Sequence, residues 1–153
     1  MNIDQTVNAF ATAMGNGATM GKLFKDAVDH VIVSRDTTII LRMIQRAEKR
    51  GDKAAASLVR YTFGKIFVGA KVNTKAGNII GIQIKDADQS NAATAALHDL
   101  VADGASMRGT KWKAAFATEV EKPAFDLQAF VARALKAHPE VSKGAFVAAF
   151  QAA

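Results

Sequence analysis

Arg42, Arg46, Lys49 and Arg50 recur at spacings of four, three and one residues, which on a helix gathers four cations along one ridge. Lys53, Ser57, Arg60 and Tyr61 follow, with Lys65 further along, and then Lys71 and Lys75. The chemistry these types offer is recognition of anions. Guanidinium and ammonium groups neutralise phosphates and release their counterions, while Ser57, Arg60 and Tyr61 suit limited contacts with base edges. A solvated helix face would use the same residue types. What sets the stretch apart is concentration: residues 35–85 hold eleven Lys or Arg against three acids, a balance of +8. Residues 1–34 hold two against three, and residues 86–153 seven against eight.

Residue types that make and break bonds lack the spacing to do so. With no cysteine in the chain, disulfides and thiolate chemistry are excluded. His30, His98 and His138 stand far apart, and none has a second ligand at the spacing of a helical metal motif. The carboxylate pairs Asp26 with Asp29 and Asp99 with Asp103 each share a helix, on faces whose natural partner is solvent. None of the serines sits within GxSxG. The run Gly15 to Lys22 invites a phosphate-loop reading, yet GxxxxGK[ST] needs glycine where Asn16 stands and a hydroxyl where Leu23 stands. It also follows a helix, so a helix-helix connection with Thr19 as cap is expected instead. The expectation is therefore a protein without catalytic residues, metal or cofactor.

The elements that position the cations can be read from periodicity. A short helix starts at an Asp4 cap, with Val7, Phe10 and Met14 at helical spacing. From residue 20 to 33, Leu23, Phe24, Ala27, Val28, Val31 and Ile32 make one apolar stripe. Ser34 or Asp36 can cap the ridge helix, whose inward face would be Ile40, Leu41, Ile44 and Ala47. Gly51 stops it and Asp52 caps the next, from Lys53 to about Ile66, with Ala55, Val59, Phe63 and Ile66 buried. Over residues 67–85 the period changes to two, and Val68, Ala70 and Val72 with Ile80, Ile82 and Ile84 form the apolar face of a β-hairpin. Lys71, Lys75 and Lys85 fall on its outer face or tip. Two helices followed by a hairpin is an order that winged helix-turn-helix modules share with many folds unrelated to nucleic acid.

Residues 86–91 are polar and cap-rich, and open an alanine-rich helix that ends at Gly104. Thr110 caps a helix on which Trp112, Phe116 and Val120 align; Arg108, Lys111 and Lys113 surround the tryptophan, but that alignment makes it a core anchor before a stacking platform. Pro123 and Pro139 each suit the first turn of a helix. The last of these carries Val141, Phe146, Val147 and Phe150 and hardly any charge after Lys143.

At 153 residues, one domain over 1–153 is expected, with a subdomain boundary near 86–90 separating helices plus hairpin (1–86) from a helical remainder (87–153). The fold class is mainly α (α+β), a multi-helix domain with one hairpin. No apolar run approaches the ~20 residues of a membrane span and no signal peptide is evident, so the cytoplasm is the expected compartment. A pI near 9.7 favours anionic partners. The leading expectation is a small basic nucleic-acid-binding protein, for DNA or RNA, in a viral or regulatory setting. The alternative is a protein-binding module, an inhibitor or oligomeric structural component, whose basic face meets an acidic protein and whose hairpin edge or C-terminal helix makes homo-oligomer contacts.

Overall fold

The computed structural model describes residues 2–117, together with Lys136, Gly144 and Ala145. The chain divides into two compact units, Met1–Ala117 and Thr118–Ala153. Apart from Lys136, Gly144 and Ala145, the helices expected at Pro123 and Pro139 lie outside the described residues, as does Val120.

The first unit is mainly helical with two small antiparallel sheets. Helix α1 (Ile3–Ala13) is capped by Asn2, whose side chain accepts the Gln5 N–H at 3.1 Å, so the cap lies two residues before the expected Asp4. Helix α2 (Gly17–Ser34) starts earlier than its apolar stripe, because Asn16 and not Thr19 is the cap; its Oδ1 accepts from Thr19 N–H at 3.2 Å. Helix α3 (Thr38–Lys49) has Thr37 at its N-cap position without a side-chain cap bond, while Asp36 Oδ1 accepts from Thr38 N–H at 2.9 Å and Ser34 ends α2. Helix α4 (Lys53–Ile66) follows the sequence expectation: Asp52 accepts from Ala55 N–H, and Ala55, Val59, Phe63 and Ile66 are buried.

Strand β1 (Phe67–Val68) departs from expectation. It pairs with β4 (Asp88–Gln89), leaving the ribbon to β2 (Lys71–Lys75) and β3 (Asn78–Gln83), joined by Ala76 and Gly77. A β-bulge corrects the expected apolar face. Asn73 pairs with Gly81 but Thr74 with Ile79, so Ile80 is an extra residue on β3 and is 55% exposed, while Ile79 takes its place inside. Ile79, Ile82 and Ile84 fix the ribbon to the core, which a lone two-stranded ribbon needs to persist in water. Helix α5 (Asn91–Ala102) is capped by Ser90, whose own N–H donates to Ile66 O at 2.7 Å. It packs on α2 and α4, and the short α6 (Thr110–Ala115) packs on α5.

One cluster joins these elements, with Phe10, Phe24, Ile40, Ile44, Phe63, Phe67, Leu97 and Trp112 buried in it. Each such side chain stabilises by about 1.5–3 kcal/mol relative to exposure. Trp112 is the expected anchor: 1% exposed, with Phe116 at 5.7 Å and Phe24 at 6.5 Å between ring centroids, and its indole N–H donating to Thr62 Oγ1 at 3.1 Å. Two glycines of the stretch that resembled a phosphate cradle, Gly17 and Gly21, lie in α2 against close neighbours. A Cβ on Gly21 would lie 2.9 Å from the Trp112 ring, and one on Gly17 would lie 1.9 Å from Ser106 Oγ. They permit close approach of the α5–α6 connection to α2. Among the described residues no helix is long and apolar enough to cross a membrane.

Candidate nucleic-acid interface

Helix α3 presents the ridge because its opposite side, Ile39, Ile40, Met43, Ile44 and Ala47, is fully buried. Three of the four ridge cations are tied to α1. Arg42 pairs with Asp4, Arg46 Nη2 donates to Asn8 Oδ1 at 2.8 Å, and Arg50 Nη1 donates to Ala11 O at 2.6 Å. The separations are 38, 38 and 39 residues, so α1 and α3 run in the same direction with about one rung per helical turn. Sequence reading missed this ladder. Its signal was present, since Asp4 and Asn8 repeat the four-residue spacing of Arg42 and Arg46.

The rungs differ in what they do to the field. Asp4 neutralises Arg42, but Asn8 and the Ala11 carbonyl are uncharged, so Arg46 and Arg50, which make no ion pair among the described residues, keep their positive charge while their guanidinium groups are held in place. Arg42, Arg46 and Lys49 line a groove of about 360 Å³ between α1 and α3. Lys49 also borders a second depression of about 390 Å³ with Asn78, the cross-strand partner of Lys75 at the ribbon tip. Gln45, which the sequence did not single out, stands between the two and donates to Ile79 O at 2.7 Å, fixing α3 against β3. The ridge and the ribbon tip therefore adjoin through Gln45 and Lys49, with Glu48 also lining the second depression.

The α4 residues contribute differently. Lys53, Ser57, Arg60 and Tyr61 are exposed on one side of that helix, but Arg60 pairs with Glu48 of α3 at 3.3 Å, which cancels its charge locally. Lys65 lies over the Tyr61 ring at 5.3 Å, a cation-π contact that occupies one face of the aromatic. Lys71 is at the far end of β2 from Lys75, beside Arg35 and Lys85. The expected set thus separates into a ridge with the ribbon tip, a partly neutralised α4 face, and Lys71 in other company.

Asp29 also has partners where solvent was expected. Lys25 Nζ lies 2.6 Å from its Oδ2 and His98 Nε2 2.8 Å from its Oδ1. Burial pushes the Asp29 carboxyl up, but the hydrogen bonds from Lys25 and His98 outweigh it and hold the group below the usual carboxylate range; the bond to Asp29 raises Lys25. Both carboxylate oxygens are engaged, so this cluster joins α5 to α2. Set against protein-family models, curated proteins and solved structures, the chain matches none of them.

Proposed function

We propose that the protein binds nucleic acid through the α3 ridge and the ribbon tip, chiefly by phosphate neutralisation with counterion release. The observation that carries this reading is that Arg46 and Arg50 are pinned by neutral oxygens. They are pre-organised yet uncompensated, next to Lys49, which makes no ion pair among the described residues. Pinning reduces the side-chain entropy lost on contact, and the planar fork of arginine suits a phosphate. Limited base contact would come from Ser57, Arg60 or Tyr61. A cytoplasmic setting belongs to the same proposal and rests on the absence of cysteine.

The test is anisotropy of labelled random-sequence duplex DNA and single-stranded RNA over a salt series. Each phosphate neutralised contributes roughly 0.9 to the slope of log affinity against log salt on duplex DNA. Arg46→Gln with Lys49→Glu should therefore flatten the slope by about two, and Lys111→Gln with Lys113→Gln on α6 should change it far less. An absence of binding to either nucleic acid at low salt, or equal effects of the two pairs, returns the ridge to plain surface. The acidic-protein reading then takes the lead.

A further inference from the structure

A cleft of about 630 Å³ opens between the α2–α3 turn, the base of the ribbon and the turn entering β4, and Arg35, Lys71 and Lys85 all line it, with Asp86 as the acid among its walls. We infer that this cleft is a binding site for a phosphate group, either inorganic phosphate or the phosphoryl end of a small phosphate ester. It is separate from the ridge: Thr37, which precedes α3, lies on its wall, whereas Lys49 is at the other end of that helix.

Convergence without compensation is the first ground. The three cations come from the α2 C-cap, from edge strand β2 and from the segment after β3, and none makes an ion pair among the described residues. Three cations against one acid leave +2 facing the cleft, which a phosphate dianion neutralises. The second ground is how Arg35 is held. Its guanidinium lies over the Phe67 ring at 5.9 Å, and one N–H donates to Ile84 O at 3.4 Å. The remaining donors of the fork make no hydrogen bond among the described residues, and a fixed fork with spare donors matches phosphate oxygens in pairs. This side chain stands on a residue in the left-handed region, φ 59°, where glycine is the usual occupant.

The walls are prepared as well. Ile82 O accepts the Thr37 hydroxyl at 2.7 Å and Ile84 O accepts from Arg35, so the carbonyls of these two lining residues are engaged and do not confront an anion with unsatisfied lone pairs. The volume falls within the roughly 300–1,000 Å³ of small-molecule sites, ample for a phosphate carrying a small organic group.

The test titrates the full ¹⁵N-labelled chain with inorganic phosphate and, separately, phenyl phosphate, against sodium chloride at matched ionic strength. Saturable shifts at the amides of Gly69, Lys71, Lys85 and Asp86 are expected. Arg35→Gly, which suits the backbone there, and Lys85→Gln should each weaken binding by tenfold or more with the spectrum otherwise native. Tighter binding of phenyl phosphate identifies an ester as the ligand class, and equal binding identifies phosphate itself. Arg46→Gln with Lys49→Glu should leave both titrations unchanged, so failure of the nucleic-acid reading and failure of this one are distinguishable. Linear, non-saturating shifts, or an Arg35→Gly variant that binds as the wild type does, would overturn the site.

Discussion

The α1–α3 seam and the ribbon-base cleft are built from the same kind of residue and treat it in opposite ways. At the seam, Arg42, Arg46 and Arg50 reach across to Asp4, Asn8 and the Ala11 carbonyl, and one helix is laced to another. At the cleft, Lys71 and Lys85 are exposed, and among the described residues the Arg35 side chain gives one long hydrogen bond and lies over Phe67, so charge is gathered with little internal use. These two triples therefore belong to different groups of the central basic segment, beside the α4 face that Glu48 partly neutralises. The seam triple contributes to stability; the cleft triple makes few internal contacts, and under the phosphate proposal it serves a ligand.

Removing each triple in turn gives the largest effect. Arg42→Gln, Arg46→Gln and Arg50→Gln together should lower stability by about 2 kcal/mol, since an exposed ion pair is worth up to about 1 kcal/mol and a hydrogen bond about 0.5–1.5 kcal/mol. For a chain of this size that is a fall in Tm of roughly 5–10 °C, with faster hydrogen exchange of the α1 amides. Arg35→Gly, Lys71→Gln and Lys85→Gln together should move Tm by no more than about 2 °C. Equal losses from the two triples, measured by calorimetry, would abolish the distinction.

A smaller effect sharpens the same contrast with a tie that does employ an acid. Arg108 pairs with Asp52 and donates to Met14 O at 3.1 Å, while Asp52 also caps α4. Burial pushes the Asp52 carboxyl up, but the Ala55 N–H and Arg108 outweigh it and hold it below the usual range. A depressed carboxylate adds stability that is present above the unfolded value, about 3.9, and is lost as pH falls through the lower folded value. Asp52→Ala should cost about 1–2 kcal/mol at pH 7 in urea unfolding, the scale of a lost N-cap. Below pH 4 the gap from wild type should narrow. A gap independent of pH would mean that Asp52 acts as a neutral cap alone. The seam's neutral rungs, Asn8 and the Ala11 carbonyl, give no such acid dependence.

Sequence reading reached helices α1 to α5, the β2–β3 ribbon and the Trp112 anchor because each rests on local periodicity: an apolar stripe at 3.6 or 2 needs only its own neighbours to be recognised. It missed what depends on residues far apart. The Arg42 to Asp4 rung and its companions span 38 residues or more, and a cation that laces two helices is the same letter as one that awaits a phosphate. The bulge that expels Ile80 arises from the pairing of Asn73 and Thr74 across the ribbon, and alternation along β3 alone carries no trace of it. Pairing of β1 with β4 joins two-residue strands about twenty positions apart, too short for a periodic signal. Nothing in the sequence distinguishes Arg35 from the other cations, because its left-handed backbone and its place over Phe67 are tertiary facts.

The smallest predicted effect uses backbone strain to compare Arg35 with a position of no proposed function. Among the described residues, Arg35 and Ala76 are the non-glycine residues at positive φ, 59° and 50°. Ala76 precedes Gly77, at φ 80°, in the two-residue connection of the ribbon. Two successive positive φ values define the hairpin turn that favours Asn-Gly. Ala76→Asn should therefore raise stability by about 0.5–1 kcal/mol, because asparagine tolerates the left-handed region better than alanine and nothing else about the turn changes. At Arg35 glycine relieves the same strain, but the contact over Phe67 and the bond to Ile84 O disappear and the unfolded chain gains freedom. These contributions offset one another to within about 0.5 kcal/mol, and the pair of variants separates their causes. If Ala76→Asn stabilises and Arg35→Gly leaves Tm nearly unchanged, the Phe67 contact only balances the strain, and stability gives no reason for an arginine at that position. A fall of several degrees in Arg35→Gly would show instead that the side chain holds the α2–α3 turn to the ribbon, making Arg35 a structural tie like those at the seam.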